Sequence, residues 1–186
     1  MIGNPEYIQG TEKAILGGGC FWCIEAAFSR CKGVVEVVSG YAGGKRPNPS
    51  YEMVCTGVSG HAEVIEVKFN AEEISYEDVL HIFFSIHDPT TLNRQGNDTG
   101  TQYRSVIFYN SEEQKMVAEK VMAELSEKKL FSGPIVTELL PLEVFYRAEE
   151  HHQNYYQKNP EQAYCQIVIA PKLAKFRRKY AKFFKD

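Results

Sequence analysis

Apolar positions recur along this chain with two different periods. In "HAEVIEVKF", Ile65, Val67 and Phe69 fall on one face while Glu66 and Lys68 fall on the other, which predicts a half-buried strand. "YRSVIFYN" alternates in the same way, and Ala14 to Leu16, Val34 to Val38 and "IVTELL" are short strand-like runs. A helical period takes over elsewhere. Cys20, Cys23, Ile24, Ala27, Phe28 and Cys31 form one stripe, closed by Lys32-Gly33. Val79, Ile82, Phe83 and Ile86 form a second, and Val117, Val121 and Leu125 a third. Ser75 with Asp78 and Ser111 with Gln114 have capping-box spacing, while Asp88-Pro89 and Phe131 to Pro134 mark helix ends. "AEEHHQNYYQKNP" reads as a short helix stopped before Pro160, and Leu173, Phe176, Tyr180 and Phe183 recur at helical spacing in a basic tail. Two stretches have neither period, "SGYAGGKRPNPSYEMVCTGVSG" and "TTLNRQGNDTGTQ". Both are predicted surface loops, long enough to carry function.

Strands interspersed with helices, without repeats or a linker, predict an α+β fold in one unit of residues 1–186, with a mixed sheet covered by helices. A chain of 186 residues buries a proper core as a single domain. Composition leaves that picture unchanged, with 44% hydrophobic and 24% charged residues and a formal charge of -3. There is therefore no global electrostatic case for nucleic acid or an acidic membrane surface. "MIGNPEYIQGTEK" lacks the apolar run of a secretory signal, no segment reaches transmembrane length, and the expected address is the cytoplasm. The 5 cysteines are unevenly spaced and do not form a secreted disulfide framework. A monomer is expected.

Chemistry enters at "AILGGGCFWCIEAAF". Cys20 falls at the first turn of a predicted helix, where unpaired N–H groups and the helix dipole favour a thiolate. The three glycines before it leave room for a substrate, and Phe21 and Trp22 offer an apolar wall for a methyl or thioether group. A buried structural cysteine beside core aromatics is the plainer alternative. Glu63 falls on the apolar face of its strand. Burial there would keep its carboxyl neutral near pH 7, whereas a strand-start position half in solvent would not. Cys20 and Cys23 form a CxxC, the spacing of a thioredoxin-type redox pair or of half a zinc site. The adjacent His151 and His152 do not supply zinc's second ligand pair, so no metal is expected.

"GGGCFWCIE", "SGYAGG", "PNPSYEMVCTGVSGHAEVIEV", "HDPTTLNRQGNDTGTQYRSVIFY" and "AEEHHQNYYQKNP" follow one another in this order, and together they resemble the peptide methionine sulfoxide reductase A family over nearly the whole chain. The resemblance implies a two-layer sandwich with a ferredoxin-like core over roughly 12–170, long coil regions and a C-terminal basic amphipathic helix over 171–186. It also implies thiol-dependent reduction of methionine (S)-sulfoxide, free or in peptides and proteins. Cys20 would attack the sulfoxide sulfur, with Phe21 and Trp22 holding the methyl group. Glu63 would protonate the oxygen, Tyr51 and Tyr103 would hydrogen-bond it, and Asp98 would support the pocket. The sulfenic acid left on Cys20 would condense with a second thiol, and thioredoxin, or dithiothreitol in the test tube, would reduce the disulfide without any bound cofactor.

This chain departs from the family pattern in having Cys23, where many relatives have glycine, and in having a tail whose only cysteine is Cys165. Cys165 follows "NPEQAY", as the family's first recycling cysteine does, and is slightly favoured as the resolving thiol over Cys23, one helical turn from Cys20. Cys31 is expected in the core, Cys55 without a role, and His61 and His152 as hydrogen-bonded structural histidines. Arg104 is expected to pair with a carboxylate, and the tail to dock on the domain. Two rival functions stay open on the residues alone: a thiol–disulfide oxidoreductase using Cys20 and Cys23, and a peroxide-oxidised sensor or binding module.

Overall fold

A computed structural model of the chain describes residues 10–185. The N-terminal reading above rests largely on residues 1–9, outside the described residues. The elements, in chain order, are β1 (Thr11–Gly17), α1 (Phe21–Phe28), β2 (Val34–Ala42), α2 (Tyr51–Cys55), β3 (Ala62–Asn70), α3 (Tyr76–Ile86), β4 (Arg94–Gln95), β5 (Asp98–Thr99), β6 (Val106–Tyr109), α4 (Glu112–Glu127), β7 (Glu138–Pro141), β8 (Phe145–Arg147), α5 (Tyr155–Lys158) and α6 (Ala170–Lys179). Six strands form one sheet in the order β7-β6-β1-β3-β2-β8. Its pairs are antiparallel except β6 with β7, so the α+β class and the mixed sheet follow directly. β3 lies between β1 and β2 and antiparallel to both, which leaves α1 as the crossover of a split βαβ unit.

One face of the sheet carries the main core. Ile65, Val67 and Phe69 of β3, as the alternation predicts, meet Phe21, Ile24 and Phe28 of α1 and Val79, Ile82 and Phe83 of α3. On the other face Ile15, Val64, Val106 and Phe108 form a smaller cluster. It is covered not by a helix but by Leu142 and Phe145 of the segment that enters β8. Ser75 caps α3 through a reciprocal bond with Asp78, as its spacing predicts. Ser111 caps α4, but Gln114 does not close the box. Its side chain instead accepts from the Asn110 N–H and donates to the Lys13 carbonyl, tying α4 to β1.

Four sequence expectations need correction. The first predicted loop begins late: Ser39 to Ala42 extend β2 as a buried strand end, because β3 and β8 pair with it on both sides. Within the same stretch Ser50 caps the short helix α2. The second loop contains the β4–β5 hairpin and a 3₁₀ turn at Thr101–Tyr103. The helix carrying Cys20 ends at Phe28, so Cys31 leaves the helix, although it stays fully buried. The tail is not one helix over 171–186. A π-turn at Cys165–Ile169 leads into α6, which stops at Lys179, and Tyr180 to Phe184 turn back onto the domain. There the Lys32 N–H donates to the Phe183 carbonyl at 2.7 Å and the Lys185 N–H to the Arg30 carbonyl at 2.8 Å, while Phe184 pairs with Cys31. No helix among the described residues is long and apolar enough to cross a membrane.

Candidate active site

β1 runs through Gly17, Gly18 and Gly19 to Cys20, which is the N-cap of α1 and 9% exposed. The glycines answer to the protein's own packing rather than to substrate access, which corrects the sequence reading. A Cβ on Gly18 would lie 2.9 Å from the His87 ring, and one on Gly19, whose φ is +85°, would lie 2.6 Å from the Gln95 side chain. Gln95 and the Tyr103 carbonyl, which accepts from the Gly19 N–H at 3.2 Å, brace the turn that aims Cys20.

β3 delivers Glu63 to the same place. Its side chain is 1% exposed and Oε2 accepts the Phe21 N–H at 3.0 Å, so the carboxyl is fastened to the residue after Cys20. Burial pushes its pKa from 4.5 up to about 8, with the nearby Asp98 charge adding to the rise. Of the two sequence readings of Glu63, the structure therefore selects the buried, neutral acid. Tyr51, from α2, and Tyr103, from the 3₁₀ turn, are half-buried phenols, and burial keeps both hydroxyls protonated. Cys55 closes α2 one turn after Tyr51 and stays exposed at the rim.

Burial works against the thiolate expected at Cys20. It and the neighbouring Cys23 raise the Cys20 thiol, while the Trp22 N–H of the helix start acts in the lowering direction. The lowered thiol is Cys23. The neighbouring Cys20 thiol and the charge of Lys172 bring it to about 7. Cys165 is fully buried beside Ala26 and Ile169, with Cys23 and Trp22 packed against that cluster. Phe21 and Trp22 part company. Phe21 is fully covered against Tyr41 and His152, while Trp22 keeps an open edge and stacks on Tyr155 with centroids 3.7 Å apart. Asp98 accepts the Tyr164 hydroxyl at 2.7 Å, which joins the second loop to the tail.

Residues the sequence did not single out hold these parts in register. Glu149 accepts the Tyr41 hydroxyl and the Tyr51 N–H, both at 3.0 Å. Glu25 accepts the N–H groups of Asn154 and Tyr155 at 2.8 and 3.3 Å, and Gln153 exchanges hydrogen bonds with the Ser39 backbone. His152 Nδ1 accepts the Trp22 indole N–H at 3.1 Å, and His61 bridges the backbones of Gly44 and Arg46, so both histidines have the structural roles expected. Arg104 pairs with Glu138 at 3.6 Å. These partners are non-local and leave no periodic trace. Their only sequence signal is density, with "AEEHHQNYY" supplying Glu149, His152 and Gln153. The described residues also gather Glu77, His81 and Glu124 away from the cysteines, but Lys120 pairs with Glu77 and Lys128 with Glu124.

Comparison with known proteins bears on what this pocket does. The family model "Peptide methionine sulfoxide reductase" matches residues 12–184. A relative from Polynucleobacter asymbioticus named peptide methionine sulfoxide reductase MsrA is 57% identical over 177 residues, covering 95% of this chain and 93% of its own. The crystal structure of Mxr1 from Saccharomyces cerevisiae in its reduced form superposes with a TM-score of 0.77 at 37% identity, covering 85% of this chain and 91% of that one. Mxr1 in complex with Trx2 is also similar, with a TM-score of 0.56 at 27% identity, covering 82% and 89% of the two chains.

Proposed function

This chain belongs to the peptide methionine sulfoxide reductase family, and on that premise we propose that it returns methionine (S)-sulfoxide, free or in peptides and proteins, to methionine, with Cys20 as nucleophile and thioredoxin as the recycling donor. The observation that carries the assignment of roles is the Glu63 carboxyl, sealed from water and bonded to the N–H next to Cys20. A sulfoxide oxygen leaves sulfur only after taking up protons, and a carboxyl neutral at pH 7 supplies one. Cys20 attacks the sulfoxide sulfur and Glu63 protonates the oxygen. The proton released by the thiol replaces the one Glu63 gave. The net step converts one thiol and one sulfoxide into a sulfenic acid and a thioether. Tyr51 and Tyr103, kept protonated, hydrogen-bond the oxygen, Trp22 lines the methyl side with Phe21 behind it, and Asp98 fixes Tyr164 at the pocket wall.

Cys23 follows Cys20 by one helical turn, its N–H donating to the Cys20 carbonyl at 3.1 Å, and this supports Cys23, rather than Cys165, as the first thiol to meet the sulfenic acid. Cys165, in the cluster against which Cys23 packs, is second in line. The sheet order β6-β1-β3-β2 with α1 and α3 as crossovers supports a ferredoxin-like, two-layer core. The chain acts as a monomer in one catalytic domain, without a resident cofactor, in the reducing cytoplasm, where its five free thiols are at home. The deciding assay offers the two sulfoxide epimers of a methionine sulfoxide peptide with dithiothreitol and then with thioredoxin. Turnover of the S epimer with both donors is expected. Reduction of insulin disulfides without sulfoxide turnover would instead identify a thiol–disulfide oxidoreductase.

A further inference from the structure

The basic C-terminal helix is not explained by sulfoxide reduction, yet it reaches the site. Lys172, in the first turn of α6, lies with Nζ 4.0 Å from Cys23 Sγ. Both residues line one cleft of about 410 Å³ between α3 and α6, while Cys20 does not. Lys175 and Lys179 line the same cleft, but of the three lysines Lys172 is the one hydrogen-bonded to the sulfur. Of the other groups facing Cys23, Cys20 and Cys165 are thiols, Glu63 and Asp98 are acids, and Tyr164, 3.8 Å from the sulfur, commits its proton to Asp98 at 2.7 Å. Across the cleft stand Asp88 and the buried His87, whose pKa burial lowers to about 4 and which is therefore neutral.

From this geometry we infer that Lys172 is a positioning residue for the resolving step: its ammonium group holds Cys23 as the thiolate that attacks the sulfenic acid of Cys20. The inference rests on the reading of Cys23 as resolving thiol given above. In the step, Cys23 Sγ forms a bond to Cys20 Sγ, the Cys20 S–O bond breaks, and the departing hydroxide takes a proton from Glu63 and leaves as water. Glu63 then recovers its proton from solvent. Sulfur chemistry thus gains a charge from the tail without that charge touching the substrate.

The full-length reduced chain is alkylated with iodoacetamide between pH 5 and 9, at low and high salt, and the label on Cys23 is quantified by peptide mapping. The parent is expected to titrate near 7. An exposed ammonium 4 Å away, screened as in water, is worth about fivefold in thiolate population, so Lys172→Met moves the midpoint up by about 0.7 of a pH unit. Lys172→Arg restores it, and salt shifts the parent toward the Met variant. After mixing with methionine sulfoxide, the ratio of disulfide-formation rate to methionine-burst rate falls about fivefold in Lys172→Met and recovers in Lys172→Arg. An unchanged midpoint and salt response in Lys172→Met, or no recovery with Arg, overturns the inference. If the parent gives no methionine burst, the sulfoxide reductase reading fails instead, and alkylation alone still decides whether Lys172 governs Cys23.

Discussion

Glu63→Gln separates the energetic cost of the pocket from its chemistry. The unfolded chain ionises this carboxyl near 4.5 and the folded chain near 8, with burial as the cause. Between those limits the folded state holds a proton that the unfolded state has released, so rising pH favours unfolding. At ~1.4 kcal/mol per pH unit, the full span amounts to ~5 kcal/mol above pH 8, and ~3 kcal/mol of it has accrued by pH 7. Glutamine keeps the shape and still accepts the Phe21 N–H through its carbonyl oxygen, but it has no charge to lose. The variant is therefore expected to match the parent at pH 4.5 and to exceed it by up to ~3 kcal/mol at pH 7, less whatever its extra amide protons cost in the dry site. Urea unfolding followed by the fluorescence of Trp22, the single tryptophan, measures both proteins across this range. Methionine formation should fall by roughly 10²–10⁴ in the same variant, the usual worth of a placed acid. Parallel pH–stability profiles, or a variant weaker than the parent at pH 7, would refute the assignment of Glu63 as a buried, protonated acid.

Reduction by the parent should decline above about pH 8 as Glu63 ionises, and this limb should be missing from the residual activity of Glu63→Gln in a pH–rate profile. Cys20→Ser should yield no methionine in a single-turnover burst measured by chromatography; a parent-like burst would transfer the nucleophile elsewhere. Peptide mapping after one turnover without reductant should find Cys20 joined to Cys23, in Cys165→Ser as well as in the parent, and a Cys20–Cys165 linkage would reverse the proposed order. Gly18→Ala should cost about 1–3 kcal/mol in urea unfolding, because its methyl meets His87 and Phe83, which cannot both retreat from a packed core.

What could be read beforehand was what has local grammar. Glu63 declared itself by sitting on the wrong side of a two-residue alternation, and Ser75 with Asp78 by a spacing that only a helix start uses. Cys20 stood out through its glycines, though for the wrong reason: they make room for His87 and Gln95, which lie about seventy residues away. The thiolate expected at Cys20 left burial out of account, because a helix start can be read from sequence and burial cannot. Glu149, His152, Glu25 and Lys172 reach their partners across more than ninety residues, and no periodicity encodes that. Ser39 to Ala42 hid for a related reason, since glycine and serine form a strand there only because neighbouring strands flank them.

The return of residues 183–185 to the far end of α1 joins a segment late in the sequence to the helix that opens at Cys20 near its start. Chain closure of this kind postpones the finished pocket until that late segment has been made. A nascent polypeptide halted before Tyr164 already contains Cys20 and Glu63 but lacks the wall, the ammonium group and the seal that give those side chains their surroundings. Reactivity in this protein is therefore a property of a chain in which residues 164–185 have already docked on the older part of the fold.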